Sequence, residues 1–353
     1  MESGFVPYRL VRRAESNEPE KSFLKVMGHS TPESGINWQQ NNGELELLAR
    51  IETRPNSRGS LDRLHRESTP DSPLDSLIYD EFTHAFFVAG YGAMRRVETG
   101  DFNPGSSRKM RGARYQRVAS LFEDQVALQP LDSWFQRLDQ LRQSETVALM
   151  NDATPPEISF FGKHSENEDQ YMFEFEGHEA PFGSLSDGYR AFIAFVGDLI
   201  SRLSEVAPQG MKMKDIPGIV LVDEVDLHLH PSWQQRVIAD LARPFPKLQF
   251  IFSSHSPLIV NSLDHLNIFM TEDAEDGSST LVQLDEHVYG RTVDQLLKSS
   301  YFGLETTRPI QAQEESRATI ESAIRGDKDA ALDLLKQMKR KSMSRPVRSS
   351  YKK

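Results

Sequence analysis

The feature that most constrains this chain is a pair of short apolar runs on either side of a helical stretch. Ile219-Val220-Leu221-Val222 ends abruptly in Asp223-Glu224. Leu248-Gln249-Phe250-Ile251-Phe252 ends in Ser253-Ser254-His255-Ser256-Pro257. Between them Pro231 opens a helix, because the N–H that proline lacks is unbonded anyway at the first helical position, and the pattern runs on to near Pro244. Strand, helix and strand with apolar strands predict a parallel sheet covered on both faces. Ligands of such sheets bind beyond the carboxyl ends of the strands, where Asp223, Glu224 and His255 stand.

Upstream, Gly183-Ser184-Leu185-Ser186-Asp187-Gly188 leads into apolar residues at Phe192, Phe195, Val196, Leu199, Ile200 and Leu203. That spacing predicts an amphipathic helix with Ser186 at its N-cap. Farther upstream, Ala85–Ala89 reads as a buried strand closed by Gly90-Tyr91-Gly92. Residues 131–149 read as a helix presenting Leu131, Phe135, Leu138 and Leu141, and residues 157–176 as a hairpin. Stretches 54–76 and 98–117 mix turn formers with charge and read as flexible inserts. Glu314–Arg325 and Lys328–Lys341 read as helices of a C-terminal tail.

Each candidate site residue has a chemical reading and a plain one. Adjacent carboxylates at a strand end can hold Mg²⁺ on one side and deprotonate a water on the other; a strand leaving the sheet into solvent carries the same letters. A Gly/Ser-rich turn opening a helix aims free N–H groups at an anion; an ordinary capped helix does so too. His255 suits contact with a phosphate oxygen, or a structural role. His228 and His230, with Asp226 nearby, have no third ligand at diagnostic spacing for a transition metal.

The chain has 41 Lys+Arg against 52 Asp+Glu, a net charge of −11, so attraction of the whole protein to nucleic acid or anionic membrane is not expected. Basic charge is concentrated in Arg108–Arg117 and in Lys336–Lys353, either of which could contact nucleic-acid phosphates or be plain solvated surface. The absence of cysteine removes disulfides and thiol chemistry. No apolar run reaches membrane-spanning length and the N-terminus lacks a signal-peptide layout, so the expectation is a cytoplasmic protein without membrane contact.

Taken in order, Leu185–Arg190, Ile219–Trp233 and Phe250–Ile259 resemble the C-terminal half of an ABC-type ATPase head, over roughly residues 80–300. The segment Gly90–Arg95, the stretch from Arg117 to Asp124 and Ser133-Trp134 add to the likeness. The nearest resemblance is to ABC-like AAA family ATPases related to the OLD family, a branch that includes ATPase subunits of Septu-like and retron-associated anti-phage systems. It implies an α/β P-loop NTPase head, with helices on both faces of the sheet, a small helical and hairpin lid, and a helical, basic C-terminal tail. It also implies ATP and Mg²⁺ as cofactors and a homodimer with nucleotide sandwiched between subunits. By resemblance, Leu185, Ser186, Asp187 and Gly188 form the signature that reaches the partner's nucleotide. Asp223 is the Mg²⁺ carboxylate, Glu224 the general base and His255 the switch histidine. His230 falls where such heads place the aspartate of the D-loop.

One departure matters. The P-loop string G-x-x-x-x-G-K-[ST], which cradles phosphates, occurs nowhere in the 353 residues. Residues 5–12 resemble the stretch that follows the P-loop helix. The expectation is that an N-terminal segment is missing and that ATP is not held normally in a P-loop of this chain. The expected domains are 1–120 (N-terminal part of the head), 121–180 (lid), 181–300 (signature to switch histidine) and 301–353 (tail). The tail is too short for a Toprim nuclease domain, so any nuclease or other effector is a separate subunit. A hydrolysing, dimeric switch and a non-hydrolysing interaction module are the two functional expectations.

Overall fold

Strands β1 (Lys21–His29), β2 (Glu44–Asn56) and β3 (Gly59–Arg66) form an antiparallel sheet in that order. The computed structural model describes residues 21–29, 44–56, 59–66, 87–97, 112–124, 126–166, 170–273, 279–332 and 335–336. Part of the insert expected at 54–76 is therefore strand. The turn formers around Asn56 and Gly59, which pair with each other, are the corner of the β2–β3 hairpin. Pro55 lies past Glu52, whose partner Lys21 begins β1, so its missing N–H breaks no bond on that side. Residues 67–76 lie outside the described set.

The second sheet is the parallel one. β4 (Phe87–Tyr91) and β9 (Leu248–Phe252) flank β8 (Gly218–Val222), in the order β4-β8-β9. Gly90 and Tyr91, read from sequence as a closing turn, are strand residues, and Ala85 and Phe86 lie outside the described set. After β4 come α1 (Ala113–Val118) and α2 (Gln140–Ala153). Residues 113–117 of the second expected insert are thus helical, and residues 98–111 lie outside the described set.

The helix expected over 131–149 starts only at Gln140. Leu131 and Phe135 sit buried in two separate 3-10 turns, and Leu141 faces solvent. Asp139 sets the boundary, since its carboxylate accepts from the Arg142 N–H and caps α2 at that point. The expected hairpin is a three-stranded antiparallel sheet of β5 (Ile158–Ser165), β6 (Gln170–Phe175) and β7 (His178–Pro181). Phe160, Tyr171 and Phe173 are buried there, and their rings meet the Phe135 ring or one another at 5.0–5.7 Å.

α3 (Asp187–Val206) is the centre of the core. All six apolar positions marked by its spacing are buried, and burial extends to Ile193, Ala194, Asp198, Ser201 and Arg202. One face of the parallel sheet, Phe87, Ala89, Tyr91, Val220 and Val222, is buried, with Tyr91 edge-on to Phe195 of α3. The other face is covered at β4 by α1 and the turn after it. A Cβ on Gly90 would lie 2.3 Å from Leu121, so glycine is what permits that approach.

The helix after β8 is two pieces, α4 (Pro231–Gln234) and α5 (Val237–Ala242), broken at Gln235–Arg236. α6 (Pro257–Val260) follows β9, then the antiparallel pair β10 (Met270–Asp273) and β11 (Ser279–Val282).

The chain divides into two units, residues 1–283 with 287–290, and residues 284–286 with 291–353. The second unit holds α7 (Val293–Leu297), opened by a reciprocal Thr292–Gln295 capping box, and α8 (Ile310–Ile324). α8 starts four residues earlier than the sequence suggests. Residues 328–332 are helical, and most of the basic tail from 337 onward lies outside the described set.

Candidate functional site

Strand β8 lies between two parallel neighbours, so its carboxyl end can be gripped from both sides. Backbone bonds begin the grip: the Asp223 N–H donates to the Tyr91 carbonyl at 2.8 Å, and the Val225 N–H donates to the Ser253 carbonyl at 3.1 Å. Side chains complete it. Ser253 Oγ donates to the Asp223 carboxylate and accepts the Glu224 N–H at 2.8 Å. From the β4 side, Arg95 Nη2 donates to the Glu224 carbonyl at 2.6 Å.

The backbone here is unusual. Glu224 has φ +45°, Arg95 φ +29° and His228 φ +64°. Left-handed conformations disfavour side chains with a Cβ by about 1–3 kcal/mol each and persist only where neighbours enforce them. Arg95 is only 7% exposed. Burial pulls its guanidinium pKa below the usual arginine value, while the charges of Asp226, Asp223 and Glu224 act to raise it. Three carboxylates and one buried cation therefore share this edge. One oxygen of Asp226, Oδ1, is buried without a hydrogen-bond partner.

The Gly183–Gly188 turn meets the same edge. A Cβ on Gly188 would lie 2.3 Å from the His228 carbonyl, so the start of α3 rests directly on the segment after β8. Leu185 is buried, and Ser186 and Asp187 are exposed. Ser186 occupies the N-cap position but its hydroxyl makes no capping bond. Asp187 pairs with Arg190 one turn on. His230 is committed to α4, its Nδ1 accepting the Ser232 N–H at 3.3 Å and lying 2.7 Å from Ser232 Oγ. His255 is exposed two residues past Ser253 and makes no hydrogen bond among the described residues. Gln234 ties these segments together: its amide donates to the Leu229 carbonyl at 3.0 Å and accepts from Ser256 Oγ at 2.7 Å.

The donor set at this edge is hard and anionic. Carboxylate oxygens of Asp223 and Asp226 suit a small divalent cation such as Mg²⁺. Sequence reasoning missed Arg95, Ser253 and Gln234. Ser253 had a weak signal, its place at the end of a strand beside the acidic pair. Arg95 closes the Gly90–Arg95 segment that adds to the family likeness, though nothing there tied it to Glu224, and Gln234 had no signal.

Of the basic residues considered for nucleic acid, Arg117 is 2% exposed and stacks over the Phe87 ring at 5.7 Å. It is a core residue and unavailable to a surface ligand. Residues 108–111 and 337–353 lie outside the described set. Among the described residues no helix is long and apolar enough to cross a membrane.

The sequence profile of the family described as "AAA domain, putative AbiEii toxin, Type IV TA system" matches residues 106–261, a span holding the signature, the acidic pair and His255. Similar proteins include the "Retron Ec83 probable ATPase" of Escherichia coli, 41% identical over 91 residues, which are 26% of this chain and 17% of that protein. The "Septu protein PtuA" of Bacillus mycoides (strain KBAB4) is 33% identical over 141 residues, 40% of this chain and 19% of that protein. The match thus spans less than a fifth of either relative. Among solved structures, the SMC head bound to the C-winged helix domain of ScpA has a TM-score of 0.42 at 16% identity, covering 75% of this chain and 74% of that one.

Proposed function

We propose that this chain, which matches an AAA-domain family over residues 106–261, is an ABC-like AAA ATPase that works as a nucleotide-dependent dimeric switch, with ATP hydrolysis at the carboxyl end of β8. The observation that carries this reading is the Asp223–Glu224 pair, gripped through Ser253 and Arg95 by both neighbouring strands. Asp223, steadied by Ser253, would hold Mg²⁺. When bound, the ion offsets charge on phosphate oxygens. Glu224 takes the proton of the attacking water, and His255, exposed and unbonded, faces a phosphate oxygen. Ser186 and Gly188 present the start of α3 to nucleotide held by a second copy, where free N–H groups and the helix dipole favour an anion. This reading extends to a role in anti-phage defence alongside a separate effector subunit, and the likeness to a retron ATPase and a Septu protein supports it. Basic residues of Arg108–Arg114 and of the tail, Lys336–Lys353, are the remaining candidates for nucleic-acid contact.

Removing a general base lowers turnover by about 10²–10⁴-fold. Glu224→Gln is therefore expected to abolish Mg²⁺-dependent ATP hydrolysis while trapping a nucleotide-bound dimer, seen by light scattering. Equal turnover in the variant and the parent would remove Glu224 from this role. A specific observation favours a second reading: no P-loop string is present in the 353 residues. In that reading the chain dimerises or binds its partner without turnover. Dimerisation that ignores ATP, Mg²⁺ and Glu224→Gln alike would establish it.

A further inference from the structure

We infer that Arg95 is a positioning residue for Glu224, one jaw of a two-sided clamp whose other jaw is Ser253. The inference rests on the reading of Glu224 as the general base.

Ser253, just past β9, accepts the Glu224 N–H, and Arg95, just past β4, donates to the Glu224 carbonyl. The same residue is thus held on both of its backbone polar groups, by segments that follow the two strands flanking β8. Nothing local in the sequence favours a left-handed glutamate, since such backbone is the province of glycine and, less often, asparagine or aspartate. A local turn bond, from the Leu227 N–H to the same Glu224 carbonyl at 3.0 Å, helps to shape this backbone, and the Ser253 and Arg95 bonds hold it from the two flanking segments. Arg95 is itself bent into positive φ, so the two strained residues bond directly to each other.

The choice of partner is also informative. A buried guanidinium normally pairs with a carboxylate, often through two bonds. Arg95 has three carboxylates contributing to its field, yet its hydrogen bond among the described residues goes to a main-chain carbonyl. The carboxylate of Glu224 is left free of that bond. Fixing the peptide while sparing the side chain is what a base needs, because its oxygen must stay open to water.

The test measures hydrogen exchange by mass spectrometry over residues 221–230 of the full chain, together with kcat and KM for MgATP. Arg95→Met is expected to speed exchange of the Glu224, Val225 and Leu227 amides about tenfold or more, with exchange in α3 unchanged, since local opening is what lost protection reports. Arg95→Lys, which keeps the charge and a donor, should restore most of the protection. Turnover in Arg95→Met should fall about 10–100-fold with KM within about threefold of the parent, the signature of lost transition-state positioning. Ser253→Ala removes the opposite jaw without stranding a charge. It should free the Glu224 amide and serves if Arg95→Met does not fold. Unchanged exchange in both variants overturns the clamp, and so does faster exchange with unaltered kcat. If Glu224→Gln turns over like the parent, or no form turns over, the base assignment fails, and exchange alone decides whether the clamp exists.

Discussion

Two charged clusters flank β4, and their construction differs. Beneath the sheet, Tyr91 donates to Asp198 at 2.9 Å, the Gln129 N–H donates to the other Asp198 oxygen at 2.9 Å, and Arg202 lies 3.6 Å away. All lie in or against the core. Burial works against the charge of Arg202, but Asp198 and then Glu205 outweigh it and hold its pKa above the usual arginine value. Burial, followed by the Asp198 charge, pushes Tyr91 well above the ordinary tyrosine range, so its hydroxyl stays a donor. Just past the carboxyl end of the same strand, by contrast, Asp223 and Arg95 sit with left-handed Glu224, unpartnered Asp226 Oδ1 and exposed His255. In the closed cluster both Asp198 oxygens accept hydrogen bonds from within the core, and Arg202 Nε is the atom left without one. The open one keeps capacity in reserve, the condition for receiving a ligand.

Stability measurements should separate the two. Asp198→Ala strands Arg202 in the core and is expected to lose about 3–5 kcal/mol in urea unfolding, as breaking one side of a buried pair does. In the same assay Asp223→Asn should stay within about 0.5 kcal/mol, since an exposed carboxylate contributes little to folding. Equal losses would break the comparison at once. Next in size, Tyr91→Phe keeps the ring against Phe195 but deletes a hydrogen bond to a charged group, an expected loss of about 1.5–3 kcal/mol. A loss below about 0.5 kcal/mol would mean that the Gln129 N–H and Arg202 satisfy Asp198 without the tyrosine.

Gly188→Ala tests the join between the signature turn and the acidic edge. Its Cβ would sit 2.3 Å from the His228 carbonyl, and backbone on both sides must yield. The expected loss is about 1–3 kcal/mol, the range for overpacking. A neutral result by thermal unfolding would show the two segments free to part.

The closed half of this comparison was partly legible in the sequence, and the reason is periodicity. Phe192, Phe195, Val196, Leu199, Ile200 and Leu203 repeat at helical spacing, and all six are buried. The runs at 219–222 and 248–252 likewise became adjacent parallel strands. Spacing misled where a polar side chain overrode it. Asp139 caps a helix in the middle of what reads as one, and Gln235–Arg236 interrupt another. Asp198 and Arg202 lie on the expected helix, yet nothing in their spacing tells a buried pair from an exposed one. At the open edge the acidic pair and His255 announce themselves as polar letters ending apolar runs. Arg95 is separated from Glu224 by 129 positions, and only the folded sheet order brings the two together.

The smallest effect expected has the opposite sign. Glycine relieves a left-handed position by about 1–2 kcal/mol but loses about 0.5–1 kcal/mol through greater freedom in the unfolded chain. Glu224→Gly should therefore leave the protein equally stable or up to about 1.5 kcal/mol more stable, which sets it apart from substitutions in the closed cluster. Deleting a side chain normally removes contacts, so a gain would show that the native glutamate is held against its preference. That is the behaviour of a residue kept for what its carboxylate does. A loss above about 1 kcal/mol in urea unfolding would instead mean that the Glu224 side chain supports the fold. The open edge would then be a second structural cluster, differing from the first only in exposure.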